Sequence, residues 1–129
     1  MRFRNLMIVD DDEDDREFFI EVIQNIDDKM VCITAENGQE AIDKLTNGRH
    51  RPDVIFLDLN MPLMNGRQFL MEIKKHAQLA HIPVVILTTS SDLHTKVETK
   101  RLGALDFITK PDRITAWETT LREFLSSKL

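Results

Sequence analysis

The sequence predicts a three-layer α/β sandwich built on a doubly wound sheet of five parallel strands. Three observations carry that prediction. Four short runs, residues 6–9, 54–57, 84–87 and 107–108, are rich in Val, Ile, Leu or Phe and too short for helices. Such near-continuous apolar runs are expected of strands buried on both faces. Between the runs, apolar residues recur at helical spacing, so strands alternate with helices. The 129 residues match the size of one domain that buries roughly two-thirds of its unfolded surface.

The elements follow in order. After the first strand, Phe18, Phe19, Val22, Ile23 and Ile26 recur with helical period, predicting an amphipathic helix over 13–25. A second strand is expected over 31–35. Asn37 suits an N-cap, with Glu40 as its capping-box partner and Ala41, Ile42 and Leu45 facing inward, and Gly48 ends that helix. Pro52 leads into the third strand. Gly66 opens a helix carrying Phe69, Leu70 and Ile73, and Pro83 precedes the fourth strand. Ser91 is the expected cap of a weakly amphipathic fourth helix running to about residue 102. Gly103 then turns the chain into a fifth strand over 105–109. After Pro111 a last helix sets Trp117, Leu121, Phe124 and Leu125 on one face. The connections are expected to be right-handed. With no repeat or linker in view, a single domain over 1–129 without an output module is expected.

Composition narrows the function classes. Apolar content of 42% and charged content of 30% are ordinary for a soluble globular protein, and no run approaches transmembrane length. A net charge of −5 argues against direct nucleic-acid binding, which needs clustered Lys and Arg. Cys32 is alone, so no intramolecular disulfide can form. A reducing compartment, the cytoplasm, is the default, without membrane attachment. The four His residues share no metal-ligand spacing.

The apolar runs end in residues with chemistry. Asp10-Asp11-Asp12, Asp58, Thr88-Thr89 and Lys110-Pro111 each follow a predicted strand. In an open parallel sheet the carboxyl ends of the strands share one rim, where such sheets bind ligands. Carboxylates there favour a divalent cation, whereas Lys and Thr favour an anion. A phosphoryl group with Mg²⁺ satisfies both. Asp58 is the candidate nucleophile, with its charge and that of an incoming phosphoryl offset by Mg²⁺ and Lys110. Asp11 and Asp58 as direct ligands, Asp10 through water and one backbone carbonyl would make a plausible octahedron. Thr88 would donate to a phosphoryl oxygen. Each position also has a plainer reading. Asp12 to Asp15 suit a helix N-terminus, Thr88 suits a strand end as a β-branched residue, and Lys110 suits an exposed strand end. The coincidence of all of them at strand ends favours the site.

Val9-Asp10-Asp11-Asp12, Leu57-Asp58-Leu59-Asn60-Met61-Pro62, Asn65-Gly66, Leu87-Thr88-Thr89 and Thr109-Lys110-Pro111 together resemble the receiver domain of bacterial two-component response regulators, of the single-domain, chemotaxis-regulator-like kind. The resemblance spans nearly the whole chain. It implies a flavodoxin-like sheet in the order 2-1-3-4-5, with Asp58 as phosphoacceptor and Asp10 and Asp11 as the acidic pair organising Mg²⁺. Asn60 would be the backbone-carbonyl ligand, and Thr88 and Lys110 the phosphoryl contacts. It implies a phosphohistidine donor on a histidine kinase or histidine phosphotransfer protein, and an unidentified downstream protein. The domain would phosphorylate and dephosphorylate itself rather than turn over a substrate, as a monomer or a phosphorylation-dependent homodimer. Thr88 and Phe107 would be the switch pair, and the output surface the fourth helix, fifth strand and fifth helix, residues 93–125. Asn60 and Ser90 match the positions that tune phosphoryl lifetime, and a cis Lys110–Pro111 peptide is expected.

Two other readings use the same acids. A haloacid-dehalogenase-type phosphohydrolase would employ Asp10 as nucleophile and Asp12 as acid/base, but leaves Asp58 unexplained. An EF-hand-like loop would use Asp10, Asp12, Asp14 and Glu21, but Asp15 stands where a Gly is needed.

Overall fold

The structure, a computed structural model, describes residues 4–89, 92–111 and 113–127, with the side chains of 114 and 127 left aside. Five strands and five helices alternate. They are β1 (Asn5–Val9), α1 (Glu13–Ile26), β2 (Val31–Ala35), α2 (Gly38–Thr46), β3 (Val54–Asp58), α3 (Gly66–Ile73), β4 (Val84–Thr88), α4 (Leu93–Arg101), β5 (Asp106–Thr109) and α5 (Ile114–Ser127). All strand pairs are parallel, in the order β2-β1-β3-β4-β5, as expected from the resemblance.

Alternation along the strands divides the core in two. Met7, Val9, Ile55, Leu57, Val84 and Ile86 face α2 and α3, where Leu45, Phe69 and Ile73 meet them. Leu6, Ile8, Val54, Phe56, Val85 and Leu87 face α1 and α5, against Phe19, Ile23, Leu121 and Leu125. The central strands β3 and β4 are buried along their whole length, which explains their lack of polar alternation.

Local chemistry sets the element boundaries. Asp12 caps α1, its Oδ1 accepting from the Asp15 N–H at 3.1 Å, and three acids occupy the first turn. Asn37 caps α2 through the Glu40 N–H at 2.8 Å. The Glu40 carboxylate does not close the expected capping box and instead pairs with Lys44 at 3.1 Å, because the (i, i+4) cation is within reach on the same helix face. The reciprocal box forms on α3 between Asn65 and Gln68. At α4 the cap is Asp92, not Ser91, which lies outside the described residues; α4 begins one residue later than a Ser91 cap requires. Its amphipathicity is inverted: Thr95 and Thr99 are buried while Leu93 and Val97 are exposed. Thr99 makes this tolerable by donating its hydroxyl to the Thr95 carbonyl at 2.9 Å. Among the described residues no peptide bond is cis, so the expected cis Lys110–Pro111 peptide is trans; the trans form of an X–Pro bond is intrinsically preferred by about 0.5–1 kcal/mol.

Candidate functional site

The site assembles at the carboxyl ends of β1, β3, β4 and β5. Asp10 follows Val9, Asp58 ends β3, Thr88 ends β4 and Lys110 follows Thr109. Val9 and Leu57 face α2 and α3, so the alternation aims Asp10 and Asp58 toward the α1/α5 side. Ile108 packs on that side too, which brings Lys110 to the same place. Thr88, two residues beyond Ile86, falls on the opposite side together with Phe107. The register pairs Thr88 with Thr109, and the Lys110 N–H donates to the Thr88 carbonyl at 2.6 Å. The backbone that carries Lys110 is thereby fixed to the end of β4.

Asp10 is almost fully buried, at 2% exposure, and its carboxylate is well supplied with donors. Oδ1 accepts from the Asp12 N–H at 3.0 Å, and Oδ2 accepts from Lys110 Nζ at 2.9 Å. The Asp10 carbonyl accepts from the Arg16 guanidinium at 2.8 Å, and its N–H donates to Ala35 at 3.0 Å. Asp58 is 7% exposed and lies 3.8 Å from Lys110 Nζ, beyond hydrogen-bond range. Burial pushes its carboxyl up to about 6; Lys110 opposes the shift, the charge of Asp10 reinforces it, the Asn60 N–H bond opposes it, and Asp11 adds to it. For Lys110, burial acts against the charge, but the hydrogen bond and charge of Asp10, then Asp58 and Asp15, hold the ammonium above the usual lysine range.

Asp10, Asp11 and Asp58 each present a carboxylate oxygen, all within 4.8 Å of one another. Three hard oxygen donors, one of them a buried carboxylate whose charge is poorly compensated, fit a divalent cation such as Mg²⁺. Both oxygens of Asp10 already accept hydrogen bonds, whereas Asp11 is exposed at the rim. This fits Asp11 and Asp58 as direct ligands and Asp10 as one acting through water. Asn60 is exposed beside Asp11 in a polar hollow also bordered by Asn65 and Arg67.

Gly66 explains how the β3–α3 loop is held. A Cβ there would stand 2.6 Å from Leu59 Cα and 2.7 Å from the Asp58 carbonyl oxygen, so only glycine lets the helix start approach the loop that carries Asp58 and Asn60. Its N–H donates to the Leu59 carbonyl at 3.0 Å. In the same loop Met61 is buried in the core and Met64 packs against it.

The structure therefore brings Asp10, Asp11, Asp58 and Lys110 together, with Asn60 adjacent and Thr88 on the next strand end. Phe107 is half-buried against the α2/α3 side, and Thr88 is 1% exposed. Thr89 is exposed, and Ser90 lies outside the described residues. Asp12 is committed to capping α1. Two site residues have no signal in the sequence, Arg16 on the Asp10 carbonyl and Asp15, whose Oδ2 accepts from Lys110 Nζ at 3.1 Å. Helical phase places Asp15 above the rim, but only the position of β5 makes Lys110 its partner.

Residues 6–121 match the family described as the response regulator receiver domain. The protein-glutamate methylesterase/protein-glutamine glutaminase of Treponema denticola is 42% identical over 127 residues, covering 96% of this chain and 33% of the relative. The chain thus spans about a third of the length of that curated relative. Among solved structures, the phosphorylated cyanobacterial phytochrome response regulator RcpA superposes with a TM-score of 0.86 at 29% identity, covering 95% of this chain and 91% of that one. The Mn²⁺-bound response regulator Rcp1 gives 0.84 at 28% identity, with 95% and 92% covered.

Proposed function

Because the chain belongs to the response regulator receiver family of two-component systems, we propose that Asp58 accepts a phosphoryl group from a phosphohistidine of a histidine kinase or histidine phosphotransfer protein. The observation that carries this reading is the convergence of Asp58, Asp10, Asp11 and Lys110 at one rim. A carboxylate oxygen of Asp58 bonds to phosphorus as the P–N bond breaks. The imidazole nitrogen keeps the electron pair and takes a proton from solvent. Asp11, Asp58 and the Asn60 carbonyl would hold Mg²⁺ directly and Asp10 would hold it through water, and the ion would supply positive charge against the phosphoryl oxygens.

The protein's own residues supply positioning and charge. Lys110 lies 3.8 Å from Asp58, within one side-chain adjustment of a phosphoryl oxygen. Burial of Asp58 excludes water and strengthens each of these interactions. Thr88, one strand over, donates to the phosphoryl, and its movement frees space for Phe107 on the same side of the sheet. That couples the site to α4, β5 and α5 as a two-state face for a downstream protein or a homodimer. Phe107 brings no hydroxyl, so its inward state rests on packing alone.

On this reading the chain is a signalling domain in the cytoplasm that is phosphorylated and dephosphorylated rather than a turnover enzyme. Among the described residues no helix is long and apolar enough to cross a membrane. The phosphohydrolase alternative has no support at the site, because the Asp12 carboxylate it needs as acid/base is engaged by the Asp15 N–H. Incubation with a phosphorylated histidine phosphotransfer protein tests the proposal. Label should leave the histidine and appear on this chain, and chelation of Mg²⁺ should stop the transfer. Label that stays on the donor with Mg²⁺ present, for every donor and for acetyl phosphate, would refute it.

A further inference from the structure

We propose that Asp15 is a positioning residue that restrains Lys110, holding its ammonium in a pose that weakens its engagement of a phosphoryl group on Asp58. This rests on the reading of Asp58 as the phosphoacceptor. Lys110 has three N–H donors. One reaches Asp10 at 2.9 Å and another reaches Asp15 at 3.1 Å, while Asp58 stands 3.8 Å away.

The two partners differ in kind. Asp10 is buried and is fixed by the Asp12 N–H as well, so it anchors Lys110 whatever occupies the rim. Asp15 is 48% exposed on the first turn of α1. Among the described residues, the hydrogen bond of its side chain goes to Lys110. The helix does not depend on it, since Asp12 caps α1 and Glu13 and Asp14 supply negative charge to the first turn. The third donor is left for a phosphoryl group on Asp58, but to bring it within hydrogen-bond range the ammonium must move toward Asp58 and away from Asp15. Asp15 thus competes for the position of the ammonium, from a half-exposed place at the solvent edge where the contact can be given up.

Titration of the full chain with beryllofluoride, an unreactive phosphoryl mimic, at saturating Mg²⁺ tests this. Asp15→Asn should bind the mimic about fivefold more tightly, the scale of one partly exposed charge pair. Asp15→Glu, which keeps the carboxylate, should stay within about twofold of the unsubstituted chain. With Lys110→Ala already present, adding Asp15→Asn should change uptake by less than about twofold. That result separates action through Lys110 from direct repulsion between Asp15 and the anion. Unchanged or weaker binding by Asp15→Asn, or a gain that persists without Lys110, overturns the inference and leaves the Asp58 assignment standing. Failure of the unsubstituted chain to take up beryllofluoride with Mg²⁺ would overturn both.

Discussion

Strand β3 has an aspartate at each end, and the two live in opposite conditions. Asp53, just before the strand, accepts from the backbone N–H groups of Arg4 at 2.8 Å and Asn5 at 2.9 Å, and its own N–H donates to the Asn5 carbonyl at 2.6 Å. It closes the amino end of the sheet and its charge is satisfied by the backbone. Asp58, five residues on, is buried, faces two other carboxylates and has one lysine 3.8 Å away, which leaves its carboxyl raised to about 6. The same side chain is a structural clamp where donors are abundant and a reactive group where they are short. What separates them is the local supply of donors: the start of β1 presents two N–H groups to Asp53, whereas Asp58 has the Asn60 N–H and a lysine beyond hydrogen-bond range, set against two neighbouring carboxylates.

The comparison can be broken most strongly through Lys110. Lys110→Ala should weaken beryllofluoride binding at saturating Mg²⁺ by about 10- to 100-fold, as expected for loss of a charge-assisted hydrogen bond. Asp53→Ala should leave that affinity unchanged, and an equal effect of the two substitutions would erase the distinction between the ends. The effect of Asp53→Ala falls on stability instead, read by denaturant unfolding. Asp53→Ala should cost about 1–2 kcal/mol, because the Asn5 N–H loses its partner in a half-buried position.

Asp58→Asn should raise the stability of the Mg²⁺-free chain near pH 7.5, with Tm up by about 2–6 °C. An unfolded aspartate releases its proton near pH 4, whereas folded Asp58 holds its proton to about pH 6. Raising the pH from 4 to 6 therefore favours the unfolded chain, and the penalty is complete above 6. The advantage of Asp58→Asn should shrink as pH falls through 6 and vanish near 4. Mg²⁺ should narrow it from the other side by stabilising the unsubstituted chain more than the variant. A constant Tm difference across this pH range would contradict the raised carboxyl.

The sheet was legible because β1, β3 and β4 are buried on both faces, so burial wrote itself into uninterrupted apolar runs. The rim followed, since Asp10, Asp58, Thr88 and Lys110 each stand directly at or after such a run. The cap at Asp12 was readable as helix-start acidity. What was not legible depends on approaches between distant segments. Gly66 against Leu59 and Asp58, Asp53 with Arg4 and Asn5, and Asp15 with Lys110 all require the tertiary arrangement. The fourth helix misled for another reason. Its apolar residues Leu93 and Val97 face outward while threonines pack inward, so a rule that puts apolar side chains inside reads the wrong face. The Asn65–Gln68 box has the same three-residue spacing as Asn37–Glu40, where Lys44 takes the glutamate, so spacing alone does not separate the two.

The most direct test of the rim's chemistry is to locate the phosphoryl group. The chain is charged from acetyl phosphate with Mg²⁺, reduced with borohydride to convert any acyl phosphate to homoserine, and mapped by peptide mass spectrometry. The account predicts conversion at Asp58 alone, abolished by chelation of Mg²⁺ and by Asp58→Asn. Conversion at Asp10, or labelling that survives Asp58→Asn, would contradict it.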